Sequence, residues 1–471
     1  MKRLETSRCY SKTARLNSCS LWLRHYVMGK SIPFIMFWFL LFMMPLHAQS
    51  MTLEELIAEA LKNNPTAQAA ALRIDAAKAM IKQAKSAYYP RISVSGSYTK
   101  SDNPPQAFMM ALNQRKLDMQ DPNFDPNDPN DTDNYRLSVG VKYRIFDGGR
   151  RGKQIDMAQL GRNAADYNLW STQNELIHQV TQGYYNVLQA QDFVEVQKES
   201  VTSLGENLRI ANERFKAGSA VKTDVLNLEV KLAQAREDLI RAENGIQLAI
   251  AALNTAIGAD LVTTQGLPAP NNKNMVQALQ DQNFDAVENR PELRAIHNVA
   301  LMKEQEYRKA IRDYFPVMNA FGSYDWDSDK FSDFEESYTV GIMAEWEFFS
   351  GFQKPSAVAQ ARAAWQAAQQ DEKETRNNLK LDLQQAYIQS GEARKRLSVV
   401  RKSVESAEEA LRITTVRYKE GAADITELLT AQVGLTATHT RNVAAYYDYL
   451  IAISNVQRAR GELVTRNRSL E

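Results

Sequence analysis

A chain of 471 residues could hold two or three ordinary domains, yet it carries only 20 Gly and 14 Pro, so long uninterrupted elements must make up its bulk. The formal charge of +1 hides a split: residues 1–48 hold seven basic side chains against Glu5 alone, leaving the remainder at 50 − 55 = −5. A mildly acidic body without clustered Lys and Arg excludes the usual nucleic-acid footprint.

The chain begins with a basic, apolar leader. Met28, Gly29 and Lys30 precede the run "IPFIMFWFLLFMMPL" and then "HAQS", the pattern of an export signal with small-residue cleavage near Ala48. About 15 apolar residues are short of the roughly 20 that span a bilayer, although a retained signal anchor is the other reading. Translation is expected to start at Met28. Both cysteines, Cys9 and Cys19, lie in this leader, and no Cys follows the apolar run. The exported chain is therefore expected to be free of disulfides and of the usual lipid attachment.

Beyond the leader the sequence repeats itself. Pro90 and Gly96-Ser97-Tyr98 match Pro316 and Gly322-Ser323-Tyr324 at an offset of 226 (316 − 90), whereas "YRLSVGVKYRIFDGG" and everything after it match at 203 (417 − 214, from Arg214 to Arg417). The difference, 226 − 203 = 23, is an insertion after Tyr98. The chain is thus one unit duplicated. The first repeat runs over 49–258 and the second over 284–463, with a linker at 259–283 and a tail at 464–471.

Each repeat alternates two periodicities. In "RISVSGSYTK" Ile92, Val94, Gly96 and Tyr98 share one face, and in "YRLSVGVKYRIF" Leu137, Val139, Val141, Tyr143 and Ile145 oppose Arg136, Lys142 and Arg144. Strict period two over about ten residues predicts strands with one apolar and one polar face, as hairpins at about 91–146 and 317–349. The remainder has period seven: Val187, Val194, Val201, Leu208 and Phe215, then Val225, Leu232, Leu239, Ile246 and Leu253, and in the second repeat Leu397, Val404, Leu411 and Tyr418. These are coiled-coil seams, predicting helical hairpins at about 150–257 and 353–460. A helix from Arg150 to Phe215 would be on the order of 100 Å long.

Strands of this length can cross a bilayer when tilted. Tyr88, Tyr89, Tyr143, Phe146, Tyr314, Phe315, Tyr338, Trp346 and Phe349 cluster at their ends, where aromatic girdles sit. Lipid tolerates no open sheet edge, and four strands cannot close alone, so several protomers must each contribute a four-stranded sector. Arg136, Lys142 and Arg144 would then line a wet interior. A soluble protein with two half-buried hairpins fits the alternation but neither the export signal nor the aromatic ends.

"TLEELIAEALKNNP", the two Pro-initiated hairpins, "RPELRA" and the paired interruptions "RFKAGSAVKTDVL" and "RYKEGAADITELL" together resemble the TolC-like outer membrane efflux proteins, over roughly Met51 to Leu463. The resemblance implies a mostly α fold with membrane β: a homotrimer, with four strands per protomer in a 12-stranded barrel and coiled-coil helices forming a periplasmic α-barrel. It also implies partners, namely a periplasmic adaptor protein, an inner-membrane pump or transporter, and outer membrane lipid. Arg214, Phe215, Gly218, Arg417, Tyr418 and Gly421 would then stand at the periplasmic tips that meet the adaptor. Thr223, Asp224, Tyr418 and Glu427 match family positions that hold the pore shut. The match is incomplete, because Ala423 replaces an Arg and Thr430 a carboxylate of the family pattern.

From the residues themselves, Gly218 and Gly421 suit chain reversals, and Thr223 or Asp424 could cap the returning helices. In the inserted loop, Asp121, Asn123, Asp125 and Asn127 alternate as in a calcium loop, but its turn Gly and closing Glu are missing, which favours a plain solvated loop. His178, His297 and His439 are dispersed and no phosphate loop or nucleophile elbow occurs, so neither enzyme chemistry nor a cofactor is expected. Two readings stay open: an outer membrane export conduit, and a periplasmic coiled-coil adaptor without a transmembrane barrel. Nothing in the chain selects a drug, a metal ion or a protein as cargo.

Overall fold

Short polar motifs start the first helices. Thr52 and Glu55 form a reciprocal capping box, with bonds of 3.4 and 2.8 Å, that opens α1 (Leu53–Asn63). Asn64 then caps α2 (Pro65–Ser86), its Oδ1 accepting the Thr66 N–H at 2.8 Å while Pro65 pre-sets the first turn. This computed structural model describes residues 51–120, 125, 127–262, 267–268 and 284–464. The leader with its export signal and both cysteines, Asp121 and Asn123 of the acidic loop, most of the linker and the tail from 465 lie outside the described residues.

Four strands follow the predicted alternation: β1 (Arg91–Ser101), β2 (Thr132–Phe146), β3 (Val317–Ser328) and β4 (Glu335–Glu345). They form one antiparallel sheet in the order β1-β2-β3-β4. Arg91 stands opposite Lys142 in the first hairpin and Val317 opposite Glu345 in the second. Shifted by 226 and 203, the first pair becomes the second, so the duplication extends to strand register. A bulge between Arg144 and Phe146 brings Phe146, not Ile145, opposite Met318. The expected reach of the second hairpin to 349 is not met. Glu347 and Phe349 correspond to Arg144 and Phe146, which β3 holds in place, but in one chain β4 is an edge with no strand beyond it.

Ahead of the Asp-, Asn- and Pro-rich tract, the insertion also forms a helix that was not expected. This is α3 (Pro104–Asn113), which buries Ala107 and Met110. The sequence carries a start signal there, Asn103 ahead of Pro104 at the first helical position.

Two long hairpins complete the chain: α4 (Arg150–Lys216) with α5 (Lys222–Ile257), and α7 (Gln353–Lys419) with α8 (Ile425–Arg460), joined by α6 (Pro291–Ile311). Both long helices have 67 residues and both returning helices 36. At 1.5 Å per residue the long ones reach on the order of 100 Å. Of the expected seam, Val187, Val194, Val225, Leu232, Leu253, Leu397 and Tyr418 are buried, whereas Phe215, its last member on α4, is exposed. Towards the tip of α4 it drifts to Leu204 and Ala211, because a straight helix precesses against a strict heptad.

At mid-length the helices meet in one core around Tyr184, Tyr185, Val180, Leu253, Leu450 and Ile453. There the same clamp occurs twice. Asn64 Nδ2 donates to the Ala256 carbonyl at 2.8 Å, and Arg290 Nη1 donates to the Ala459 carbonyl at 2.8 Å. Only the second clamp is charged: Arg290 also binds Glu292 and Asp382, which hold its guanidinium raised above the usual pKa despite burial.

Candidate functional site: the paired tips and the polar face of the sheet

Each tip is a helix end that folds back on itself. Ser219 N–H donates to the Arg214 carbonyl at 2.9 Å and Ala422 N–H to the Arg417 carbonyl at 2.7 Å, closing equivalent turns. Gly218 (φ 72°) and Gly421 (φ 78°) occupy the left-handed position in each, where a Cβ would be strained. Both arginines then wrap their own turn, Arg214 Nη2 reaching the Ser219 carbonyl at 3.4 Å and Arg417 Nη2 the Ala422 carbonyl at 3.0 Å.

The returning helices start differently at the two tips. Asp424 caps α8, accepting the Glu427 N–H at 2.8 Å, whereas the equivalent Val221 leaves α5 without a side-chain cap. Thr223 does not cap, contrary to expectation. The turn closes early enough that Thr223 already lies inside α5, exposed. Phe215 is 42% exposed, but Tyr418 at the matching position is only 3% exposed, packed among Leu204, Val225, Leu228 and Ile425.

Arg214 ties the tips together. Its guanidinium lies 4.9 Å from the Tyr418 ring centre and donates to the Tyr418 carbonyl. Burial raises the Tyr418 pKa; the positive charge of Arg214 opposes this and the negative charge of Asp224 adds to it. The Tyr418 hydroxyl is buried without a hydrogen-bond partner, so within one chain Asp224 is close enough to act on it but does not bond it. Glu427 is engaged by Arg417 at 3.1 Å. The sequence shows both residues but not their pairing, which forms because the turn brings together positions 10 residues apart.

The sheet segregates its faces. Ile92, Val94, Leu137, Val141, Tyr324, Tyr338, Val340 and Ile342 share one apolar face, largely exposed in the single chain. Tyr89, Trp346, Phe348, Phe349 and Phe352 stand exposed where the sheet meets the helices. Eleven residues at about 3.3 Å each, tilted by about 40°, give a height of roughly 27 Å, close to that of the apolar band of membrane barrels. No helix among the described residues is long and apolar enough to cross a membrane. On the polar face Arg136 is neutralised by Asp327, through bonds of 2.9 and 3.2 Å to a carboxylate 1% exposed. Lys142 and Arg144 remain exposed on that face with Arg91 beside them, and no carboxylate among the described residues pairs with these three.

The corner between sheet and helices is also built, not merely bent. Asp147 accepts the Gly149 and Arg151 N–H groups at 3.1 Å each, while Arg151 donates to the carbonyls of Ala87, Arg144 and Ile145 and lies over Tyr88. Gly148 there could not carry a Cβ, which would sit 2.6 Å from that of Phe315.

The family model for outer membrane efflux proteins matches residues 56–259 and 285–462, one segment in each repeat. The chain belongs to the outer membrane efflux protein family. Outer membrane protein TolC of Vibrio cholerae is 23% identical over 426 residues, covering 87% of this chain and 91% of that protein. Alkaline protease secretion protein AprF of Pseudomonas aeruginosa is 23% identical over 347 residues, covering 71% of each. The outer membrane protein VceC of Vibrio cholerae has the same fold, with a TM-score of 0.72 at 18% identity over 87% of this chain and 96% of that one. This outer membrane efflux protein is thus an outer membrane channel of the class that serves efflux or type I secretion, extending into the periplasm. The adaptor reading, which left the amphipathic strands without a purpose, is set aside.

Proposed function

We propose that three copies of the chain close one barrel and one helical tube, making a passive conduit from a periplasmic adaptor and an inner-membrane transporter to the exterior. The observation that carries this is the four-stranded sheet with a lipid-type face and two open edges, β1 and β4. Each orphan backbone group left in lipid would cost several kcal/mol, so the edges must pair with each other in neighbouring copies. Leu226, Val230, Ile240 and Leu248 on α5, and Ile388, Val399 and Val416 on α7, are exposed apolar residues that neighbouring copies would cover.

The duplication supplies the register of that seam. Within one chain Lys142 faces Phe321 and Gly140 faces Ser323 across β2 and β3. Applying the two offsets, Glu345 of one copy faces Ser95 of the next, and Met343 faces Ser97. Glu345 and Glu347 take the places of Lys142 and Arg144, so acidic and basic sectors alternate around the lumen, and Glu347 falls diagonally beside the otherwise unpaired Arg91 of the next copy.

In this assembly Arg214, Phe215, Gly218, Arg417 and Gly421 present the adaptor contact; Tyr418, buried in the tip, does not join them but stands with Thr223, Asp224 and Glu427 in the periplasmic gate. Lys142 and Arg144 face the lumen as free charges, while Arg136 does so as one half of a pair with Asp327. The protein conducts and does not catalyse; its relatives serve both efflux and protease secretion, so cargo is chosen by the transporter.

Cysteine pairs test the seam. Met343 and Ser97 of one chain are three strand spacings apart, about 14 Å, too far for a disulfide within a chain. Met343→Cys with Ser97→Cys should therefore give an oxidant-dependent ladder up to a covalent trimer on non-reducing gels. Preferential bridging of Met343→Cys to Thr99→Cys or to Ser95→Cys would refute the register, and no bridging to any β1 position would refute the seam.

A further inference from the structure

The inserted helix α3 lies across the polar face of the sheet at the end away from the tips. Gln114, just past its C-terminus and only 3% exposed, donates to the Asp133 carbonyl at 2.7 Å and to Asn134 Oδ1 at 2.9 Å. Asn134 in turn donates to Asp327 Oδ1 at 2.7 Å, the same carboxylate that holds Arg136. These three strand residues share the polar face, and two of them, Asn134 and Asp327, are buried although the face is otherwise open. The insertion then reaches over the second hairpin. Arg115 Nη1 meets Glu335 at 3.2 Å and Lys116 Nζ meets Asp329 at 2.5 Å. A segment leaving β1 touches β4 only by crossing β2 and β3, and Glu335 is again a polar-face residue.

Two features separate this from an idle surface loop. Arg115 holds φ at 54°, a left-handed conformation unfavourable for a residue with a Cβ, and it does so while bonded to the opposite hairpin. The attachment is also graded: the buried Gln114–Asn134–Asp327 chain locates the helix, whereas the two ion pairs farther out stand partly in water and are open to screening by salt. Such a tether holds a segment in place and still lets it go.

We propose that α3 is a lid over the outer mouth of the channel, setting the size of what leaves or enters the barrel. The proposal rests on the trimeric-channel reading, in which the polar face lines the lumen; three lids, one per copy, then narrow a single exit. Release needs the Arg115 and Lys116 pairs to open, and cargo arriving from below provides the push.

Ser95, exposed on the polar face of β1 below α3, reports on this from outside the cell. Cys9 and Cys19 are the only cysteines of the sequence and both precede the described residues, so Ser95→Cys gives a single thiol once the leader is removed. Intact cells carrying the full chain are treated from outside with a small methanethiosulfonate or with a bulky polyethylene-glycol maleimide. The small reagent should label freely and the bulky one slowly. Adding Gln114→Ala, Arg115→Ala and Lys116→Ala should speed bulky labelling roughly tenfold without changing small-reagent labelling, as expected for a wider pore mouth. As a guard against misfolding, Lys116→Asp alone should speed bulky labelling and Lys116→Asp with Asp329→Lys should return it to the parent rate. Bulky labelling that is equal in the parent and in these variants overturns the lid and leaves the conduit standing. If the small reagent labels Ser95→Cys in neither the parent nor the opened variants, the face does not line a water-filled lumen, and the trimeric reading falls together with the lid.

Discussion

His178 sits at mid-height with its Nδ1 3.0 Å from the Ser454 hydroxyl, within reach of the charges of Arg458, Glu175 and Asp382. Burial disfavours its imidazolium and Arg458 repels it, and together they hold its pKa below 6.5 against the weaker pull of the two carboxylates. Between the lowered value and 6.5 the unfolded chain binds more protons, so the contribution to stability is complete above about pH 6.5 and drains as pH falls through the folded pKa. Unfolding followed by circular dichroism should show a midpoint that drops between pH 7 and pH 5, and His178→Gln should remove most of that slope. An unchanged slope would mean that other groups control it. At this scale the sequence was least legible: His178 looked merely dispersed, because its hydrogen-bond partner Ser454 lies 276 residues away on α8, and Arg458 and Asp382 also come from the second repeat.

Among the elements, the tips are the most telling. Their turns were readable because Gly, Arg and the seam recur at one offset, and the structure places Arg214 on Ser219 as it places Arg417 on Ala422. What the sequence concealed was the cap. Thr223 has the favoured chemistry, but the turn bonds close two residues earlier and hand the position to Val221. The helix α3 was concealed by its neighbours, since the Pro-, Asn- and Asp-rich tract after it dominates the composition of the insertion. For the tip as a gate, Tyr418→Phe removes a buried hydroxyl that has no partner in one chain, so it should leave folding unaffected or slightly favoured. Combined with Asp224→Ala, it should raise single-channel conductance in planar bilayers by about 2-fold or more, as a charged constriction relaxes. Unchanged conductance would remove both residues from the gate and leave Tyr418 as a packing residue.

The whole molecule is intelligible as half of a symmetry. One unit, duplicated, gives two hairpins of identical register, two long helices of 67 residues and two clamps at the equator. The halves have also diverged, so they are no longer equivalent: Arg290 stands where the first repeat has Asn64, Tyr418 is buried where Phe215 is exposed, and Glu345 stands where it has Lys142. The sheet was legible because period two shows in every strand, and the helices because period seven runs through the half of each long helix nearest the tip and, in the first repeat, along the returning helix. The premature end of β4 was not, because β4 lies at an edge of the sheet, where no further strand of the same chain holds its last residues in the ladder. The most direct test is single-particle electron microscopy of the full-length protein extracted in detergent from outer membranes. Three copies sharing one barrel should appear as a threefold particle with a helical tube on the order of 100 Å long, continuous with a twelve-stranded barrel of roughly 27 Å. Monomers, or particles whose strands do not close into a barrel, would contradict that assembly.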